Sequence, residues 1–221
     1  MHNKFIVIDR SEVWTGSMNF TNTGTYVDNN TLFRIRSTKI AENYTKEFDE
    51  MFVEDKFGAD TLPATPNPVI SIDGTLVENY FSPDDRVVLR IKQLLKGAEE
   101  SIYFMAYAFT SNDIGQILLD KAADRKKVKG IFDADQYAAG KNFSDYDAFL
   151  AAGLDVHLDG IPGQLHHKVF IIDSKIVIFG SYNFTNNAEK INDENVIIVF
   201  NPDIASQFMA EYDRVLAEAQ P

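Results

Sequence analysis

No cysteine occurs among the 221 residues, so disulfides and thiolate metal sites are excluded. No run approaches the roughly 18 apolar residues of a membrane-spanning helix. Positive charge is scarce: 21 Lys and Arg face 33 Asp and Glu, for a net charge of −12 at pH 7. That balance works against a broad nucleic-acid-binding surface but leaves room for a local basic pocket. Met1 to Arg10 does not read as a secretory signal, because its apolar stretch is only Phe5 to Ile8. No carboxylates are clustered along the chain with a spacing suited to Mg²⁺ or Ca²⁺. At 45% hydrophobic, the chain can form one large or two modest globular units.

What is present is one stretch used twice. "MHNKFIVIDRSEVWTGSMNFTN" from Met1 and "LHHKVFIIDSKIVIFGSYNFTN" from Leu165 align without a gap at an offset of 164, with 11 identities in 22 positions. His2 meets His166, Lys4 meets Lys168, Asp9 meets Asp173, and Gly16-Ser17 meets Gly180-Ser181. The Asn-Phe-Thr-Asn run from Asn19 meets the one from Asn183. The offset still holds at Ile40 and Ile204, Glu47 and Glu211, and Asp49 and Asp213, in segments that both read as amphipathic helices. A structural unit repeated within the chain is implied.

Phe5 to Ile8 and Val169 to Ile172 are β-branched and aromatic runs, which predict central strands covered on both faces. Alternation puts His2 with Lys4, and His166 with Lys168, on one face of their strands. Asp9-Arg10-Ser11 and Asp173-Ser174-Lys175 predict turns into second strands that end at Gly-Ser, with Asn19 and Asn183 in the loops beyond. Each copy thus brings His, Lys, Ser and Asn to neighbouring strand ends. Lysine cations with Ser and Asn donors suit the non-bridging oxygens of a phosphodiester. Two imidazoles offer a nucleophile and a general acid that can later act as base. Lys4 and Lys168 would then do the work of a metal, and no cofactor is expected.

The pattern His-x-Lys-x4-Asp followed by Gly-Ser-x-Asn, at His2/Lys4/Asp9 and at His166/Lys168/Asp173, resembles the signature of the phospholipase D superfamily. The resemblance runs from Met1 to about Phe57 and from about Tyr80 to the end. It implies that both motifs meet at one active site, where one His forms a phosphohistidine and the other protonates the leaving group and then activates water. By resemblance the N-terminal motif supplies the nucleophile, His2, leaving acid and base duty to His166. It further implies substrate-binding roles for Lys4, Ser17, Asn19, Lys168, Ser181 and Asn183, and catalytic roles for Asp9 and Asp173. Glu194, in "NDEN", lies where superfamily members often carry an acidic group that orients a catalytic imidazole. The first copy has Asn30 at that offset, so the two rings should differ in basicity.

The expected fold is α/β, with mixed sheets flanked by helices and two pseudo-symmetric phospholipase D-like repeats, the first incomplete. Residues 1–62 are expected to form the back half of the first repeat, 63–79 a linker and a hairpin turning at Asp73-Gly74, and 80–221 a complete second domain. Helices are expected from Ser82 as N-cap, over Asn112 to Arg125, over "SDYDAFLAAG" and from Pro202; strands are expected at "SIYFMAYAF", "VKGIFDAD", "DVHLD" and Asn195 to Phe200. About 85 residues separate Tyr80 from His166, and their counterparts should precede His2, where only Met1 stands. An N-terminally truncated two-repeat enzyme is the expectation, with apolar edge and face exposed around Phe5–Ile8 and self-association through the incomplete repeat. Localisation is left open.

Single residues also have plainer readings. Asp9 and Asp173 suit turns, and Gly16 and Gly180 suit close backbone approach. His167 alternates to the face opposite His166, which favours a structural role, and His157 has no counterpart. Tyr107, Phe109 and Trp14 are read as core in preference to cleft. For substrate, a phospholipid phosphodiester is favoured, with a metal-independent endonuclease as runner-up. The dense basic cluster Arg125-Lys126-Lys127-Val128-Lys129 reads equally well as a helix C-terminus. A non-catalytic phosphate-binding remnant is the alternative of another class.

Overall fold

The computed structural model describes residues 1–58 and 63–219. Residues 59–62, at the end of the expected first unit, and residues 220–221 lie outside the described residues. Three antiparallel strands, β1 (Phe5–Ile8), β2 (Glu12–Gly16) and β3 (Leu32–Arg36), form a small sheet in the order β1-β2-β3. Helix α1 (Asn22–Tyr26) leads into β3, and α2 (Thr38–Phe52) follows it. The large sheet has eight strands in the order β4-β5-β11-β10-β9-β6-β7-β8. They are β4 (Val69–Ile72), β5 (Thr75–Ser82), β6 (Ser101–Ala106), β7 (Lys127–Phe132), β8 (Asp155–Leu158), β9 (Lys168–Ile172), β10 (Ile176–Gly180) and β11 (Glu194–Phe200). Strands β6, β7 and β8 run parallel to one another, while the other pairs are antiparallel.

Strand alternation splits the interior into two layers. Phe170 and Ile172 of β9 point to one face of the large sheet, packed by α3 (Val87–Gly97), α4 (Asn112–Ala123) and α6 (Tyr146–Ala151). Val169 and Ile171 point to the other, where Val13, Ile35, Ile40 and Tyr44 of the small sheet and α2 meet Tyr212 and Val215 of α8 (Pro202–Glu218). Phe33 of β3 lies 4.9 Å from Phe179 of β10, and Tyr44 lies 5.0 Å from Phe81 of β5, so aromatic contacts join the two sheets. The expected α/β class with mixed sheets and flanking helices is therefore observed.

The two matched strands have different surroundings. Strand β9 is buried along its whole length, with β10 on one side and β6 on the other. Among the described residues strand β1 pairs with β2 alone, and Ile6 and Ile8 are 46% and 42% exposed. Central burial holds for one copy only. Exposure of an apolar edge at Phe5–Ile8 matches expectation, whereas Val13 and Thr15 are covered.

Three local expectations change. The hairpin turning at Asp73-Gly74 exists, but it is built into the large sheet and is no spacer: β5 pairs with β11 from Leu76 to Ser82. That ladder carries Ser82 into a strand, opposite Glu194, so Ser82 cannot cap a helix. Helix α3 starts only after Arg86, once Asp85 has turned the chain by accepting the Phe81 amide at 2.8 Å. Helix α5 (Ala134–Gly140), capped by Asp133, has no apolar stripe to announce it.

Folding also gathers carboxylates that are dispersed in sequence. Glu47 and Glu50 of α2 and Asp84, after β5, bring oxygens within 4.8 Å of one another. At the offset of 164, Glu50 corresponds to Arg214, which donates to Glu211 at 2.7 and 2.8 Å. Burial resists ionisation of Glu211, but Arg214 and His167 hold it down at about 2. Burial, then Asp84 and Glu50, push Glu47 up to about 8 from the ordinary 4.5. Below about 4.5 the Glu47 carboxyl is protonated whether folded or not, whereas above about 8 the native state must hold it ionised. Its effect is thus a stability that falls as pH rises across that window. Glu47→Gln keeps an acceptor for Asn3, whose Nδ2 donates to Oε1 at 2.8 Å. The variant should match the parent at pH 5 and exceed it at pH 8.5, by on the order of a few kcal/mol in denaturant titrations. Parallel stability curves across that range would remove Glu47 as the titrating group.

Candidate active site

Each motif histidine sits just ahead of its strand, docked on a loop from the other end of the chain. The His2 amide donates to the Asp193 carbonyl at 2.9 Å, and the His166 amide donates to the Asn29 carbonyl at 2.9 Å. The side chains cross in the same way. His2 Nδ1 lies 2.7 Å from Glu194 Oε2, and His166 Nδ1 lies 2.8 Å from Asn30 Oδ1. A carboxylate only accepts, so His2 carries its proton on Nδ1. Asn30 Nδ2 donates to the Gly24 carbonyl at 2.8 Å, which turns Oδ1 toward His166 and fixes the same tautomer there. In both rings the lone pair is left on Nε2, the nitrogen that chemistry at phosphorus would use.

The lysines are placed alike. Lys4 Nζ donates to the His2 carbonyl at 2.6 Å, and Lys168 Nζ donates to the His166 carbonyl at 2.8 Å. An ammonium has three donors, so each retains protons for another acceptor. Burial lowers both pKa values; Glu194 opposes the effect at Lys4, whereas Lys4 itself adds to it at Lys168. His166 is pushed down to about 2 by burial and then by the charges of Lys168, Lys4 and His2. Groups from both motifs therefore act on one ring, which is neutral at pH 7. The Tyr107 ring lies 4.6 Å from Lys168 Nζ and 4.7 Å, edge-on, from the His166 ring.

Other expected site residues fall differently. Ser17 and Ser181 are fully buried. Ser17 Oγ donates to Asn30 Oδ1 at 2.9 Å and accepts the Thr31 amide at 2.9 Å, while Ser181 Oγ accepts the Asn195 amide at 3.0 Å. Both hydroxyls serve the scaffold behind the histidines and are not open to a substrate. Asn19 and Asn183 stand half-buried in the loops after β2 and β10. The Asn183 Oδ1 atom is buried and has no hydrogen-bond partner among the described residues.

Asp173 lies beyond the far end of β9 from His166, a strand length of roughly 16 Å. Its carboxylate accepts the amides of Glu99, Glu100 and Ser101 at 2.8 to 2.9 Å and so ties that turn to the start of β6. Asp9 is exposed at the matching turn of β1. The catalytic reading of these two aspartates is replaced by a turn role, since both take the left-handed conformation, at φ 50° and 51°. Gly16 and Gly180 permit close approach: a Cβ at either would lie 2.1 Å from the carbonyl oxygen of Thr31 or Asn195. His167 is structural, held by Thr31 at 2.9 Å and Glu211 at 3.1 Å, and His157 pairs with Asp155 at the surface. Phe109 is core, whereas Tyr107 is only half-buried and sets its ring against His166, so the core reading does not hold for it.

A family model described as "Cardiolipin synthase, PLD-like domain" matches residues 1–52 and 91–216. The chain belongs to the phospholipase D superfamily. Among superfamily relatives it is 37% identical over 136 residues to a phospholipase D of Rickettsia typhi, covering 62% of this chain and 66% of that one. It is 27% identical over 176 residues to a mitochondrial cardiolipin hydrolase of Chlamydomonas reinhardtii, covering 69% of this chain and 78% of that one. The crystal structure of the superfamily member Nuc from Salmonella typhimurium superposes with a TM-score of 0.59 at 28% identity, covering 66% of this chain and 97% of that chain. A phosphatidylserine synthase from Haemophilus influenzae superposes over 100% of this chain and 62% of its own, with a TM-score of 0.73 at 11% identity, which is a likeness of fold.

Proposed function

We propose that the chain is a phospholipase D-type phosphodiesterase that hydrolyses a phospholipid through a phosphohistidine on His2. The observation that carries this reading is the crossed pair of bonds, His2 to Glu194 and His166 to Asn30, with Lys4 and Lys168 beneath. The diester's non-bridging oxygens sit between the two ammonium groups, and its negative charge offsets them, so His166 can take up a proton. His2 Nε2 attacks phosphorus, and Glu194 stabilises the positive charge that the ring acquires. The bond from phosphorus to the leaving oxygen breaks, and that oxygen takes the proton from His166. Neutral again, His166 accepts a proton from water, whose oxygen attacks phosphorus and frees His2. The products are phosphatidic acid and the headgroup alcohol.

Equivalent contacts at an offset of 164 support two phospholipase D-like repeats within the chain. The edge of β1, unpaired among the described residues and with Ile6 and Ile8 exposed, supports self-association through the first repeat. Sedimentation should then shift with concentration between about 1 and 100 μM, a range suited to weak pairing; a single monomeric species throughout would count against it. A lipid substrate fits better than nucleic acid. Lys127 pairs with Ser101 at the end of β6 opposite Ala106, which pairs with Lys168, so the basic cluster lies far from the histidines. Lys129 is also engaged by Asp155 at 2.5 Å.

The test is headgroup release from phospholipid vesicles, beside single- and double-stranded DNA, in buffer and in excess EDTA. Release from vesicles, little DNA cleavage and unchanged rates in EDTA are expected, because the lysines supply the phosphate's counter-charge. DNA cleaved faster than lipid, or activity lost in EDTA and restored by Mg²⁺, would overturn the reading.

A further inference from the structure

Lys168 carries its charge in a nearly closed place. It is 2% exposed, and among the described residues its one hydrogen bond is to the His166 carbonyl, at 2.8 Å. An ammonium taken out of water needs its other protons faced by something electron-rich. The Tyr107 ring is so placed, its centroid 4.6 Å from Lys168 Nζ. That ring is held on three sides. The Tyr107 amide donates to the His167 carbonyl at 2.9 Å, and the hydroxyl accepts from Gln136 Nε2 at 2.8 Å. The His166 ring meets it at 4.7 Å, with the two planes 68° apart.

We infer that Tyr107 is a positioning residue of the phosphate site: the face of its ring holds Lys168 in place as a cation. The inference rests on the phosphodiesterase reading and adds a residue that lies outside both histidine motifs. Charged groups reach Lys168 from several elements. Lys4, ahead of β1, opposes its charge, while Glu194 of β11, Asp133 after β7 and Asp28 before β3 favour it. His166 and His167, its neighbours in the chain, are kept neutral at pH 7 by burial and bring no counter-charge. Desolvation outweighs the three carboxylates and holds Lys168 well below its ordinary 10.5. A cation–π contact is strongest where the cation is desolvated, so the ring face opposes loss of the proton at the position where that loss is easiest.

The test is calorimetric binding of sulfate to the full chain between about pH 6 and 10, where the charge of sulfate itself does not change. Affinity should fall on the alkaline side as the site lysines lose their protons, and carbon NMR of labelled lysine should follow Lys168 itself. Tyr107→Phe keeps the ring face and gives up only the bond to Gln136, so the Lys168 midpoint should stay within about 0.3 of the parent's. Pentafluorophenylalanine in place of Tyr107 keeps the shape and reverses the polarity of the face. It should lower the midpoint by about one unit or more, weakening sulfate about 10-fold above that midpoint and less than about 2-fold at pH 6. An unchanged Lys168 midpoint with the fluorinated ring would overturn the inference. So would an equal drop in Tyr107→Phe, which would assign the effect to the hydroxyl, or sulfate weakened equally at every pH, which would mark a merely structural role. Sulfate not bound by the parent at any pH would instead remove the phosphodiesterase reading, and this inference with it.

Discussion

His166→Ala should retain the first half of the reaction on a nitrophenyl phosphodiester and lose the second. Nitrophenolate is a stable anion, so protonating it contributes little to the barrier, and His2 can still attack. Water then has no base to activate it, the phosphoenzyme persists, and the trace should show a burst of nitrophenol followed by almost no turnover. With a lipid, whose alkoxide leaves poorly, the same variant should also be slowed in the first step, by about 10²- to 10⁴-fold. His2→Ala removes the nucleophile, so neither burst nor turnover should survive with any substrate, a loss of about 10⁴-fold or more. Equal residual rates in the two variants, without a burst in either, would argue against a division of labour.

Exchanging the partners of the two rings should move rate and pH dependence in opposite ways. Glu194 is fully buried, so Glu194→Gln keeps its shape and leaves an amide oxygen for His2 Nδ1. What it removes is the charge that stabilises a cationic ring, and kcat should fall by on the order of 10²- to 10⁴-fold. Asn30→Asp does the reverse at His166. There the ring is held down at about 2, by burial first and then by Lys168, Lys4 and His2, and a carboxylate at Nδ1 should raise it. A raised value means that the protonated form persists to higher pH, so the alkaline limb of kcat/KM should move upward. Proton NMR of the His166 ring should follow the same shift. The bond from Asn30 Nδ2 to Gly24 is lost in that variant, so it should also be less stable, by about 1–3 kcal/mol. No change in the His166 titration would mean that Asn30 does not set its basicity.

The sequence exposes what repeats and conceals what converges. His2 and His166, Lys4 and Lys168, and the Glu194–Asn30 asymmetry were all visible at one offset, and the fold brings each to the same place. Ser17 and Ser181 were misread because chemistry alone cannot tell a hydroxyl facing a ligand from one that accepts a backbone amide behind it. Asp173 looked catalytic because it travels with His166, yet a strand of five residues separates them. Tyr107 carried no signal, since an aromatic residue after a buried strand is ordinarily core; only the register of β6 against β9 sets it beside Lys168. The Glu47–Glu50–Asp84 cluster depends on α2 meeting the chain after β5, which no local pattern encodes. The hairpin at Asp73-Gly74 was legible as a hairpin, but its pairing with β11 was not, because edge registers over such separations leave no mark on local periodicity.

Mass-spectrometric mapping of the quenched His166→Ala burst on a nitrophenyl diester is the most direct measurement of how the site divides its work. Phosphoryl transfer should leave the modification on His2, on Nε2 with Nδ1 facing Glu194. Modification recovered at another residue, or at His166 in the His2→Ala variant, would contradict the assignment of His2 as nucleophile.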